Sequence, residues 1–493
     1  DDVYRRIQQV NISVKGESSA SSYFQDELVE SIVDDLMKLK GYSESQAYKM
    51  LFSNGLNIYT TQNSNIQKIC ETELSNQANY NTTELSFSWQ IDIKEIDGSI
   101  KHYTEQKMLN YFREKSSKNY TLNYPDQASA DAAIALYKTI ILAAGGEIIE
   151  NSEAVFYTLQ PQASVSIINP STGEVKGLVG GRGSKTGGFT LNRASNTFRQ
   201  PGSTFKILST YAPALDAAGM TLATVQDDAP YSYSDGTPMK NYNSKYQGYT
   251  TIRQGIMDSI NVVAVKTLKE ITPKLGYDYL LNFGFSTITN KDIVESLALG
   301  GISDGVSNLE LNAAYATIAN SGTYTKPRFY TKVLDRKGNV ILDNTPQTHT
   351  VLKASTAWLL TSAMKDVMTQ GTGKSANITG VAVAGKTGTT NSSRDSLFAG
   401  FSPYYSCVIW GGYDDNAPMI STNYTKNLWK TIMTQIHIGL EYKDFIQPSD
   451  ITTASICIKS GKLAQVGVCE LDPRGSMVRT EFFAKGSEPT EYC

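Results

Sequence analysis

Only three histidines occur in 493 residues, at positions 102, 349 and 437, and none has a second imidazole or a thiol at ligand spacing. A zinc site needs a tighter cluster, and a Ser-His-Asp triad would need one of these rings to reach its serine through tertiary folding alone. Any serine nucleophile here is better served by lysine. Cysteine is equally scarce: five residues, no Cys-x-x-Cys, with Cys70 and Cys407 isolated and Cys457, Cys469 and Cys493 in the last stretch. That is too few for a disulfide scaffold. In an oxidising compartment a Cys457–Cys469 or Cys469–Cys493 bridge is one reading, and free thiols in a tail the other. Nothing points to a metal or a cofactor. No apolar run reaches the roughly 18 residues that span a bilayer; the nearest, 132–145, is interrupted by Lys138. The chain opens Asp1-Asp2-Val3, without an initiator methionine or a signal-peptide pattern, and so reads as a soluble, excised piece whose anchor or upstream domain lies elsewhere. Charge of one sign is missing too. With 45 basic and 48 acidic residues, dispersed, the net charge of -3 leaves no footprint for nucleic acid.

What is present is a globular composition, 40% hydrophobic and 19% charged, in a chain long enough for one large domain plus attached segments. Phe24, Leu28, Ile32 and Leu36 recur at four-residue steps and predict an amphipathic helix. A short helix over 45–53 stops at Asn54-Gly55, and 56–61 reads as a strand, with helix again from 63 to about 79. The stretch 80–154 is polar and carries no recognisable chemistry. A hairpin around Asp97-Gly98 and a helix over 129–144 are expected within it, as a surface insertion or small accessory lobe. At Ala163 the texture changes to two β-branched runs, 164–168 and 174–181, around the turn Asn169-Pro170…Gly173. Later come helices over 251–257, 261–271, 308–320 and 358–368, then strands over 381–385, 397–401 and 406–413. The Ser402-Pro403 turn is short enough to make that sheet antiparallel.

The organising stretch is Arg199-Gln200-Pro201-Gly202-Ser203-Thr204-Phe205-Lys206, a small-residue turn entering a helix-like segment, 207–219. Ser203 and Lys206 stand one helical turn apart on one face, a nucleophile beside a base. Phe205, Ile207, Leu208, Tyr211 and Leu215 surround that helix, so it is buried mid-domain and Lys206 either snorkels or sits in a polar site, where burial favours its neutral amine. Alone, the pair reads as a capping serine and a snorkelling lysine. It is followed by Ser259-x-Asn261 and by Lys386-Thr387-Gly388 beside a strand, and the three in that order are a strong signal for acyl-serine chemistry. Gly371-Thr372-Gly373-Lys374-Ser375 invites a phosphate-loop reading, but Met368 stands where that pattern needs glycine and a helix precedes it, so it is a helix stop.

The set Ser203-x-x-Lys206, Ser259-x-Asn261, Lys386-Thr387-Gly388 resembles the penicillin-binding proteins and serine β-lactamases. Wider stretches, among them 296–301, 313–316, 371–373, 385–390, Asn57-Ile58-Tyr59-Thr60-Thr61, Ser460-Gly461-Lys462-Leu463-Ala464 and 488–493, are similar to the transpeptidase region of bifunctional class A penicillin-binding proteins. The resemblance covers about 23–79 and 155–493. It implies a fold of the α/β (α+β) class, the serine β-lactamase/transpeptidase type, with a central antiparallel sheet flanked by helices and an all-helical subdomain. It also implies a division into a linker (1–62), the start of the transpeptidase domain with its polar insertion (63–154), the core (155–446) and a C-terminal tail (447–493). Ser203 would carry the acyl group with Lys206 as its base, Ser259 relaying a proton, Asn261 positioning, and Lys386 supplying positive field. Thr387, Gly388 and Thr389 would receive a substrate carboxylate, and the backbone N–H groups of Ser203 and Thr389 would form the oxyanion hole. Implied partners are peptidoglycan stem peptides, a D-Ala-D-Ala donor and an amine acceptor, together with β-lactam antibiotics. The implied place is the extracytoplasmic face of a bacterial membrane, reached only through an N-terminal anchor. One departure stands out: Asp395-Ser396-Leu397-Phe398 has leucine where the family shows an aromatic residue. The alternatives are a β-lactamase-like hydrolase and a non-catalytic penicillin sensor. No Glu-x-x-x-Asn pattern for a deacylating glutamate lies between the second and third motifs, and Glu295 and Glu310 lack that context.

Overall fold

A computed structural model describes residues 21–185 and 187–493. Its centre is a five-stranded sheet in which Ala384–Thr389 forms one edge, followed in space by Asp395–Phe401, Ser406–Gly412, Gln162–Ile168 and Val175–Val179. Every neighbouring pair is antiparallel. Burial on both faces makes the middle strands almost continuously apolar, and their two-residue period sorts the side chains. Leu397, Ala399, Phe401, Val408 and Trp410 face a large core built with helices. Phe398, Cys407, Ile409, Val165 and Ile167 face a second core, closed by helices Ser64–Ser75 and Tyr424–Ile436.

Helix Asn308–Ala319 lies across the first face and is fixed by polar contacts as well as packing. Asn308 Nδ2 donates to the Val408 carbonyl at 3.1 Å and Asn312 Nδ2 to the Ser166 carbonyl at 2.8 Å, both buried. These bonds give the helix a single register on the sheet. The rest of that core is the mainly helical region between the sheet's second and third strands in sequence, which also holds short antiparallel pairs such as Tyr231–Ser232 with Pro238–Met239 and Val225–Asp228 with Gly248–Thr251.

The expected amphipathic helix spans Tyr23–Lys40, with Phe24, Ile32 and Leu36 fully buried. Strand Asn57–Thr60 pairs with Tyr330–Leu334. The polar stretch from 80 forms a unit around strand Glu84–Lys94, which pairs with Ile100–Thr104 across the Asp97-Gly98 turn and with Ala154–Gln160 on its other edge. Two helices, Glu105–Lys115 and Gln127–Leu142, cover this sheet over a core of Phe87, Trp89, Ile91, Met108, Ile134 and Tyr137. All five cysteines are free thiols. Among the described residues no helix is long and apolar enough to cross a membrane.

Candidate active site

The segment before Ser203 is pinned from both sides. Arg199 pairs through its backbone with Val306, and its guanidinium reaches Asp395 at 2.6 Å while lying over the Trp410 ring at 5.2 Å. The chain then turns through Gly202, whose φ of +55° is a left-handed conformation open to glycine at little cost. A tight helical turn, Gly202–Thr204, carries Ser203 to the mouth of a cleft of about 720 Å³.

The segment expected as one regular helix differs. Residues Lys206–Tyr211 form a wider π turn, in which the Ala212 N–H reaches back to the Ile207 carbonyl, and an ordinary helix resumes only over Ala212–Asp216. Pro213 sits at the start of that second helix and has no N–H to donate into the preceding turn. Such π turns concentrate at functional sites because they aim side chains that regular spacing cannot. Here the aimed side chain is Lys206.

Lys206 is completely buried. Its Nζ donates to the Ser259 carbonyl at 2.7 Å, to Asn261 Oδ1 at 2.6 Å and to Ser259 Oγ at 3.3 Å. From the other side Lys386, also completely buried, donates to the same Ser259 hydroxyl at 2.7 Å and to the Thr387 carbonyl at 3.1 Å. Two amines therefore converge on one hydroxyl away from water. Burial, and then the neighbouring Lys386 charge, drive the Lys206 pKa well below the usual lysine value. Burial holds Lys386 down at about 7. Two charges so close in a buried site oppose each other, and burial together with the Lys386 charge favours the neutral form of Lys206.

Ser259 itself has φ of +55° without being glycine, a conformation that costs on the order of 1–3 kcal/mol and survives only where the surroundings impose it. It follows helix Ile252–Met257 and precedes helix Asn261–Ile271. The cap of the second helix comes from a residue the motif does not contain: Asn241 Oδ1 accepts from the Asn261 N–H at 3.0 Å and the Val262 N–H at 3.2 Å. Asn261 in turn donates through Nδ2 to the Lys240 carbonyl at 2.8 Å.

The third motif lies on the edge strand. Gly388 has room for hydrogen only, because a Cβ there would come within 2.7 Å of the Pro201 carbonyl and 2.8 Å of Thr204 Cγ2. Its absence lets the strand press against the turn that presents Ser203. Thr387 and Thr389 line the same cleft as Ser203, Ser259 and Asn261, and Thr372 from the Gly371-Thr372-Gly373 stop joins them by a 2.9 Å hydroxyl pair with Thr387. The structure thus places Ser203, Ser259, Asn261, Thr387, Gly388 and Thr389 along one cleft, with the buried amines of Lys206 and Lys386 bonded to its Ser259. Sequence reasoning missed Asn241, Lys240, Thr372 and the far wall of Thr422, Thr425 and Lys426; none belongs to a pattern with its own chemistry. The three histidines lie elsewhere: His102 pairs with Asp92 in the outer lobe, His349 bonds the Asn282 carbonyl, and His437 bonds Ser402 behind the sheet.

Residues 163–416 match the penicillin binding protein transpeptidase domain, and residues 447–493 match the C-terminal domain of penicillin-binding protein 1A. The chain belongs to the penicillin-binding protein transpeptidase family. Among its relatives, penicillin-binding protein 1A of Clostridium tetani is 37% identical over 367 residues, covering 70% of this chain and 46% of that protein. Penicillin-binding protein 1A of Clostridium botulinum strain Hall is 31% identical over 487 residues, 96% of this chain and 50% of the relative. The chain spans about half the length of these curated relatives. In fold it is similar to penicillin-binding protein 1A from Haemophilus influenzae, with a TM-score of 0.68 at 19% identity over 97% of this chain and 78% of that one. It is likewise similar to PonA1 from Mycobacterium tuberculosis in complex with penicillin V, with a TM-score of 0.63 at 18% identity over 86% and 96%. Its fold is that of the penicillin-binding transpeptidases, and its sequence matches class A members of the family.

Proposed function

We propose that this chain is a D,D-transpeptidase that cross-links peptidoglycan stem peptides through an acyl-serine intermediate and is acylated by β-lactams. The observation that carries the reading is the convergence of Lys206 and Lys386 on the Ser259 hydroxyl, in the cleft that Ser203 also lines. Neutral Lys206 accepts the Ser203 hydroxyl proton as Oγ attacks the penultimate D-Ala carbonyl. The backbone N–H groups of Ser203 and Thr389 hold the developing oxyanion. The proton moves from Lys206 through Ser259 to the departing D-Ala nitrogen, the C–N bond breaks, and the acyl group stays on Ser203. An amine of a second stem peptide then attacks the ester, returns its proton along the same path and forms the cross-link. Lys386, Thr387 and Thr389 receive the donor's carboxylate, and the outer edge of Ala384–Thr389, unpaired among the described residues, offers backbone groups to an extended peptide. A β-lactam enters the same path, except that its leaving amine remains tethered after ring opening.

The division at 62, 154 and 446 belongs to this proposal, as does a place on the extracytoplasmic face of a bacterial membrane. The test is incubation with a donor peptide ending in D-Ala-D-Ala and an amine acceptor. Transfer product with release of D-Ala, lost in Ser203→Ala, is expected. Hydrolysis without transfer would make the chain a hydrolase, and labelling by penicillin without either reaction would make it a sensor.

A further inference from the structure

Outside the residues that line this cleft, three cysteines of the last stretch of the sequence meet. Cys457 ends strand Ile451–Cys457, Cys469 opens the short turn Cys469–Leu471, and Cys493 closes the chain. Their sulfurs all lie within 4.8 Å of one another. A tetrahedral zinc site with bonds of about 2.3 Å needs its sulfurs roughly 3.8 Å apart, a distance the three reach by small rotations about χ1. Backbone pairing holds the segments in place: the Cys457 N–H donates to Lys462 at 2.8 Å, the Met477 N–H to Cys469 at 2.9 Å, and the Cys493 N–H to Leu463 at 2.9 Å.

We propose that Cys457, Cys469 and Cys493 form a three-thiolate site for a soft divalent cation of the zinc class, with the fourth position open to water. Two features favour a metal over a disulfide. A disulfide joins two sulfurs and would leave the third thiol stranded against it, whereas all three lie within 4.8 Å of one another here. Two of the sulfurs also receive backbone N–H groups: the Gln465 N–H donates to Cys469 Sγ at 3.3 Å, and those of Lys459 and Ser460 are directed at Cys457. Such N–H donors stabilise a ligated sulfur as outer partners do in metal sites generally. Each sulfur gives up its proton on binding, so three thiolates and a divalent ion leave one negative charge. Arg474, paired with Asp472, stands beside Cys457, and Lys462, paired with Glu491, beside Cys493. Buried Met477 and half-buried Ile458 and Val478 keep the cluster apolar. A bound ion would clamp the strand, the turn and the chain end into one unit.

The site is tested on the purified chain by metal analysis after exposure to zinc, by cobalt(II) absorption, and by counting reactive thiols. One zinc per chain is expected, with the intense visible bands of tetrahedral thiolate-bound cobalt(II), and three thiols that react only after a chelator is added. Cys469→Ser and Cys493→Ser should each weaken zinc binding by at least about tenfold. Cys493 is exposed, so Cys493→Ser keeps the fold, and retained penicillin labelling verifies this. A metal-free chain with two of the three sulfurs joined as a disulfide would overturn the proposal, as would three thiols that react at once in the presence of zinc.

Discussion

Replacing Lys386 by methionine keeps an unbranched buried side chain and removes one of the two charges at the Ser259 hydroxyl. Both amines reach that hydroxyl, at 3.3 and 2.7 Å. They therefore stand about 6 Å apart at most, and at an effective dielectric near 20 a unit charge at that distance is worth about 2.8 kcal/mol. The sign follows from the chemistry. Acylation uses neutral Lys206, so its rate rises as pH climbs past the depressed Lys206 pKa. It also uses charged Lys386 to receive a carboxylate, so it falls as pH climbs past about 7. In Lys386→Met the falling limb should vanish and the rising limb should move toward alkaline pH, because Lys206 no longer feels its neighbour's charge, while burial still holds its pKa down. The plateau rate should drop by about 10- to 100-fold, the worth of a lost bond to a charged group. The assay is the second-order rate of penicillin acylation across pH, followed by intact mass. A variant profile that superimposes on the parent after simple scaling would refute the coupling between the two amines.

Other substitutions separate stability from chemistry. In Gly202→Ala the new Cβ would lie 3.0 Å from the Thr389 carbonyl oxygen, at a φ of +55°. The left-handed backbone costs about 1–2 kcal/mol, while displacing the Thr389 N–H should slow acylation by roughly 10²- to 10³-fold; a thermal scan and the acylation rate together check this. Arg253→Met removes the cation that holds Glu481 through paired bonds at 2.6 and 2.7 Å and Asp366 at 2.9 Å. Leaving buried Glu481 unpaired should destabilise the chain by about 3–5 kcal/mol, and Arg253→Met with Glu481→Gln should recover much of that in denaturant titration.

The order of the motifs and the period of their elements made the candidate cleft readable in advance, since each motif carries its own chemistry and the sheet strands alternate by two. The supporting parts were not readable. Asn241 caps the helix of the second motif from 20 residues away, a bond that no local pattern announces. The π turn at Lys206–Tyr211 runs up to the helix that Pro213 opens, whereas helical periodicity alone predicts a regular helix there. Strand Glu84–Lys94 and its partner Ala154–Gln160 are paired across a long insertion, so the hairpin within the lobe was visible and the sheet that closes it was not. The cysteines were visible as three residues of the tail, and only folding shows that they meet.

The central claim, that Ser203 is the acyl carrier and Lys206 with Ser259 its proton path, is tested most directly by intact-mass measurement of the chain over time after addition of penicillin. A single adduct of one opened drug molecule, persisting for many minutes and absent in Ser203→Ala, is the expected result. Rapid loss of the adduct with turnover of the drug, or an adduct that survives in Ser203→Ala, would contradict it.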